Sequence, residues 1–231
     1  MAQSIYNISL KRDELGDKMG GGIPKYCVGF IEGVNGLGKS ILCQRIAFGA
    51  LQNNNTVTYI STELTVGGFI NQMSSLRYNV DKEFLKKKMK FISIFPGIGR
   101  LRYQDNLIKR LMIQDKLFDS DIIIIDSLSD FLVGDDFKKE DYYELAKFFN
   151  SLSGKGKTVI ITASPEDVSE HLIKKLRTVA SMYLKLDEKE KYGEKIQFVK
   201  IVRYNAAAKE VEKEIPFKVR GGIGIVIDIA G

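Results

Sequence analysis

The 231-residue sequence carries 35 Lys and Arg against 29 Asp and Glu, a formal net charge of +6. Hydrophobic residues at 44% and charged residues at 28% exclude extended disorder and fit one large domain. The mild positive charge permits phosphate ligands, nucleic acid or anionic lipid and selects none of them; two cysteines and one histidine exclude a disulfide framework and a site built on several histidines.

Taken in chain order, the N-terminal MAQSIYNISLKRDELG has no apolar signal core, and nowhere does the chain approach the roughly 18 apolar residues of a membrane helix. Cys27 and Cys43 sit among apolar residues, which predicts reduced, buried thiols and a cytosolic setting. Short, nearly continuous apolar runs at Tyr26–Ile31, Val57–Ile60, Phe91–Phe95, Ile122–Ile125 and Thr158–Thr162 read as strands covered on both faces. Between them Ser40–Leu51, Gly67–Leu76, Leu101–Leu117, Lys139–Ser151 and Pro165–Arg177 carry helical spacing. The alternation predicts an α/β fold with a mostly parallel twisted sheet, flanking helices and right-handed crossovers. The last 55 or so residues differ: Ala180–Leu186, Lys195–Arg203, Ile215–Val219 and Ile223–Ile229 read as strands, with turns at DEKEKYGEK and GGIG. They predict an antiparallel extension of the main sheet.

Gly33-Val34-Asn35-Gly36-Leu37-Gly38-Lys39-Ser40 matches G-x-x-x-x-G-K-[ST] in full, between a strand and a helix. Glycines let successive N–H groups turn inward on phosphates, and the following helix adds its positive end. The pattern nominates Gly33, Asn35, Gly36, Leu37, Gly38, Lys39, Ser40 and Ile41 as nucleotide-binding, with Lys39 reaching the β- and γ-phosphates and Ser40 offering a hydroxyl to Mg²⁺. The second signal is Asp126, at the C-terminal end of the four-isoleucine strand, where ligands of open α/β sheets bind and a carboxylate can hold the water shell of Mg²⁺. Asp121, at the other end, is expected to face solvent.

The segment DELGDKMGGGIPKYCVGFIEGVNGLGKS, Asp13 to Ser40, resembles the opening of KaiC-like ATPases of the RecA superfamily. The resemblance continues through YISTEL, IIIIDSLSDF and VIITASPED into the C-terminal strands and covers nearly the whole chain. It implies a single KaiC/RecA-like ATP-binding domain over 1–231, with a core of about 13–176 and a C-terminal strand extension of about 177–231. Within the family, the single short domain, the Thr62-Glu63 pair and the ending most resemble the ATP-binding protein of the archaeal motility motor, the archaellum. That likeness implies ATP and Mg²⁺ as ligands and a homo-oligomeric ring. It also implies partnership with the motor ATPase and other cytosolic and membrane components, and a cytoplasmic place at the inner face of the membrane held through partners.

Family members place two adjacent glutamates after the second core strand; here the aligned pair is Thr62 and Glu63, so Glu63 is the one candidate catalytic acid. The family's trans-acting basic pair, Lys-x-Arg on a late strand, aligns with Arg203 and Asn205, leaving Arg203 as the charge that would reach a neighbouring subunit's nucleotide. Both departures predict ATP binding with slow or absent turnover. Thr162 is open to a γ-phosphate-sensing role, and Ser164 before Pro165 reads as a helix cap. Lys86–Lys90, with Arg100, Arg102, Lys109 and Arg110, reads as a solvated basic face, making nucleic acid an unlikely partner. Phe131, Phe137, Tyr142, Tyr143, Phe148 and Phe149 read as core; Asp130, Asp135, Asp136, Glu140 and Asp141 lack Ca²⁺-loop spacing; His171 reads as a surface residue. A RecA/RadA-type recombination ATPase and an autophosphorylating KaiC-like ATPase stand as alternatives.

Overall fold

The computed structural model describes residues 5–94, 111–132, 139–191 and 193–227. Their elements, in order, are β1 (Ile5–Tyr6), α1 (Leu15–Lys18), β2 (Ile23–Pro24), β3 (Val28–Glu32), α2 (Lys39–Gln52), β4 (Val57–Ser61), α3 (Val66–Ser75), α4 (Asp81–Leu85), β5 (Met89–Ser93), β6 (Ile122–Asp126), α5 (Leu128–Phe131), α6 (Lys139–Gly154), β7 (Thr158–Ala163), α7 (Glu170–Val179), β8 (Met182–Lys191), β9 (Glu194–Tyr204), β10 (Glu214–Arg220) and β11 (Gly224–Ile227). A 3₁₀ turn spans Asp115–Phe118.

Among the described residues, nine strands form one sheet in the order β11-β10-β9-β8-β3-β7-β6-β4-β5. From β8 to β5 the pairings are parallel, and β9, β10 and β11 continue the sheet antiparallel. The central strands β3, β4, β6 and β7 are buried residue by residue, which is why their sequences run apolar without alternation. One core joins α2 and α3 to one face through Leu42, Ile46, Phe69, Tyr59 and Ile124. The other face carries Phe30, Ile123, Ile125 and Ile161 against Leu145, Phe149, Ile173 and Leu176 of α6 and α7.

Several elements differ from their sequence reading for identifiable reasons. The helix expected at Pro165 begins at Glu170, because residues 164–167 close a turn (Asp167 N–H to Ser164 O, 3.2 Å) and Ser169 is the cap, accepting from Leu172 N–H at 3.3 Å. Ser164 is therefore not a helix cap; its hydroxyl accepts from Glu166 N–H within that turn. The charged DEKEK belongs to β8 and not to a turn: it pairs with β9 to Lys191, and Glu188 and Lys189, on opposite faces, find partners in Lys195 (2.7 Å) and Glu214 (2.6 Å). Asp121 does not simply face solvent: it is half-buried and accepts from Thr56 N–H (2.8 Å) and Thr56 Oγ1 (2.7 Å), joining the starts of two parallel strands. Tyr143 is exposed where core was expected. Residues 101–110, 135–137 and 228–229, as well as Phe95 and Arg100, fall outside the described residues.

Candidate nucleotide-binding site

The loop between β3 and α2 has the form its sequence requires. Gly36 and Gly38 take φ of +87° and +86°, a left-handed conformation that a side chain would strain. A side chain at Gly33 would press on Leu186 of β8. Leu37 is buried, while Asn35 and Gly36 stand exposed at the tip. Lys39 opens α2 and is buried, its ammonium accepted by Gly33 O at 2.8 Å, Val34 O at 3.1 Å and Asn35 Oδ1 at 3.3 Å. Burial lowers the Lys39 pKa, opposed by the charges of Asp126, Glu63 and Asp167. Ser40 and Ile41 follow, each half-buried.

The sheet order carries Asp126 to the same place. β7 lies between β3 and β6, so the end of β6 stands one strand away from the loop. Asp126 is 1% exposed, and its carboxylate accepts from Tyr59 Oη at 2.6 Å, Thr162 Oγ1 at 2.8 Å and Ser40 Oγ at 3.2 Å. Burial pushes its pKa up, and those three hydrogen bonds and the Lys39 charge act against the rise. Thr162 thus faces the acid, and Ser40 joins it directly to the phosphate loop. Hydroxyls and a carboxylate are the hard oxygen donors that Mg²⁺ prefers, so this donor set fits the ion that accompanies a nucleoside triphosphate. Among the described residues, no group of three or more His, Cys, Asp or Glu side chains could hold a metal ion on its own.

Thr62 and Glu63 follow β4. Thr62 is buried and exchanges hydrogen bonds with the Ser127 backbone (3.0 Å from N–H, 3.2 Å to O), which ties the ends of β4 and β6 together. Glu63 is exposed, close enough for its charge to act on Lys39. Arg203 is exposed on β9, and its Nη1 donates to Arg177 O (2.8 Å) and Ala180 O (2.6 Å), closing the C-terminus of α7 within the same chain.

Sequence reasoning missed two features. Glu32, immediately before Gly33, is 1% exposed and receives a two-pronged ion pair from Arg177 (2.7 and 2.6 Å) and the Tyr183 hydroxyl (2.7 Å). Burial raises its pKa, but the bonds from Arg177 and Tyr183 outweigh it and leave the carboxyl below its usual range. This clamp holds the residue from which the phosphate loop departs. Tyr59 is the second: it lies two residues before the end of β4 and opens the YISTEL string, but nothing local gives it a partner. A further groove of about 450 Å³ runs over β8–β10, lined by Glu188, Gln197, Phe217 and Val219 among others. The Phe217 ring lies 3.6 Å from where a Gly38 side chain would begin, so the groove adjoins the loop.

Fold and site together define an α/β protein of the RecA-like, phosphate-loop class. The family model described as ATPase: KaiC matches residues 13–230. An archaeal flagellar ATP-binding protein FlaH from Methanocaldococcus jannaschii is 37% identical over 226 residues, 98% of this chain and 97% of its own. Another from Methanococcus voltae is 35% identical over 96% of each chain. The crystal structure of the flagellar accessory protein FlaH from M. jannaschii, 36% identical, superposes with a TM-score of 0.90 over 98% of this chain and all of that one. A KaiC-like protein from Pyrococcus horikoshii, 20% identical, shares the fold at a TM-score of 0.75 over 97% of this chain and 99% of its own. The chain belongs to the KaiC-like ATPases and, within them, to the FlaH family. Among the described residues no helix is long and apolar enough to cross a membrane.

Proposed function

We propose that this protein binds ATP with Mg²⁺ on the Gly33–Ser40 loop and acts as a regulatory subunit of the archaeal motility motor, its nucleotide occupancy controlling docking to the motor ATPase. The observation that carries the reading is the convergence of Lys39, Ser40 and the buried Asp126 at one end of the parallel sheet. The backbone N–H groups of Gly33–Ile41 and the N-terminus of α2 take the phosphates, and the ammonium of Lys39 exchanges one of its loop acceptors for a phosphate oxygen. Ser40 holds the ion through its hydroxyl and Asp126 through the ion's water shell; the ion, when bound, neutralises phosphate charge.

Turnover by the protein alone is slow or absent. Thr62 cannot take a proton near neutral pH, and it is committed to the Ser127 backbone, so Glu63 alone is left to act on an attacking water. In a ring of copies, Arg203 is the charge offered to a neighbour's nucleotide, and Asn205 adds none. Coupling between ATP and partner is reciprocal: a partner that prefers the ATP form tightens ATP binding by the same factor. Titrating the motor ATPase into wild-type protein with ATP and Mg²⁺, and into Lys39→Ala, tests the proposal. Tighter docking of the loaded wild type is expected; equal affinities would remove the regulatory role. Robust phosphate release by the isolated protein that disappears in Glu63→Gln would overturn slow turnover.

A further inference from the structure

The Lys39 ammonium has three N–H donors, and three acceptors stand around it: Gly33 O, Val34 O and Asn35 Oδ1. The other end of the Asn35 amide donates through Nδ2 to Asp167 Oδ2 at 2.9 Å. Carbonyl oxygen on the ammonium and amide N–H on the carboxylate is the one orientation of Asn35 that satisfies both charges. Asp167 is exposed, yet it is presented by a fixed turn. Its N–H donates to Ser164 O, the Ser164 N–H donates to Ser129 Oγ at 3.1 Å, and Ser169 caps α7 two residues further on. A carboxylate anchored between β7 and α7 therefore holds the tip of the phosphate loop, and the tip in turn holds the lysine.

We propose that Asp167 is a positioning residue that latches the phosphate loop in a resting arrangement through Asn35, and that a nucleoside triphosphate must break this latch to engage Lys39. With all three donors of Lys39 committed, a phosphate oxygen gains the ammonium only by displacing one of its acceptors. Asn35 Oδ1, the longest of the three contacts, is the acceptor held in place from outside the loop. The inference rests on the reading of the loop as the ATP site and adds to it a residue beyond the motif.

Calorimetric titration of ATP with Mg²⁺ into wild type, Asp167→Ala, Asp167→Asn, Asn35→Ala and the Asn35→Ala/Asp167→Ala double variant tests it. Removing a charge-assisted hydrogen bond that favours the resting state should tighten ATP binding by about three- to tenfold in Asp167→Ala, with Asp167→Asn in between. In the Asn35→Ala background the Asp167→Ala step should have no further effect, since the latch is already gone. Unchanged or weaker binding in both Asp167 variants would overturn the latch. So would a gain of the same size in the Asn35→Ala background, which would mark simple repulsion between a carboxylate and the phosphates. Absence of ATP heat in the wild type would sink the ATP-site reading and the latch together, whereas normal wild-type binding with inert Asp167 variants would sink the latch alone.

Discussion

Asp126 is held by three side chains from three elements, Tyr59 of β4, Thr162 of β7 and Ser40 of α2, and none of them is a cation within hydrogen-bond reach. Its folded pKa is raised by burial, so the folded state binds the proton more tightly than the unfolded chain does. Ionising it therefore costs stability as pH rises from the ordinary carboxylate value through the raised one. Asp126→Asn removes that cost while keeping an acceptor for Ser40 and Thr162. Melting followed at pH 7 should show an unchanged or higher midpoint, by about 2–4 °C for each kcal/mol relieved, while the Mg²⁺ dependence of ATP binding is lost. A clearly lower midpoint would mean that the ionised form is the better satisfied one. A buried acid that burdens its own fold is retained where it serves a ligand.

At the scale of elements, the phosphate loop depends on what grips its two ends. Glu32 fixes the end of β3 to α7 through Arg177 and to β8 through Tyr183. On the other side α2 is gripped by the N-terminal segment: Arg45 and Asp13, with side chains 0% and 2% exposed, meet at 2.6 and 2.8 Å, and Arg45 also donates to Ile8 O. Asp13 in addition accepts from Leu15 N–H. The opening Asp-Glu-Leu is thus a fastening for the helix that follows the loop. Leaving Arg45 buried without its carboxylate should cost about 3–5 kcal/mol in Asp13→Ala, read as a lower urea midpoint at unchanged slope. Replacing both partners, as in Asp13→Leu with Arg45→Met, should recover much of that loss; a double variant as unstable as the single one would show that packing, not the stranded charge, sets the cost.

Across the whole molecule, the site sits where β3, β6 and β7 end on the buried centre of a nine-stranded sheet, with β8 and the antiparallel strands β9–β11 extending it to one side. A ligand bound there would bridge the loop after β3 and the end of β6, so occupancy should raise the stability of the whole. At a hundredfold excess over its dissociation constant, ATP with Mg²⁺ should add about 2.7 kcal/mol, or roughly 5–10 °C in melting midpoint for a chain of this size. Lys39→Ala should melt close to the unliganded wild type and show no shift with ATP. A shift in that variant equal to the wild type's would place the nucleotide elsewhere.

The phosphate loop, the five core strands and the position of Asp126 were legible in the chain by itself, because each is written in contiguous residues: a glycine spacing, a run of isoleucines, a carboxylate at its end. So was the family likeness, which rests on strings such as DELG and GVNGLGKS. Tertiary structure alone decided the rest. Tyr59 and Thr162 reach Asp126 only because β6 is flanked by β4 and β7, across 67 and 36 residues of chain. Asp167 meets Asn35 over 132 residues, and Arg177 meets Glu32 over 145. Arg203, which the family likeness nominates as a trans-acting charge, also donates through Nη1 to the end of α7 in its own chain. Periodicity and motif report interactions within a turn or two of the backbone, whereas the partners of a buried polar group are set by strand order, which no local pattern encodes.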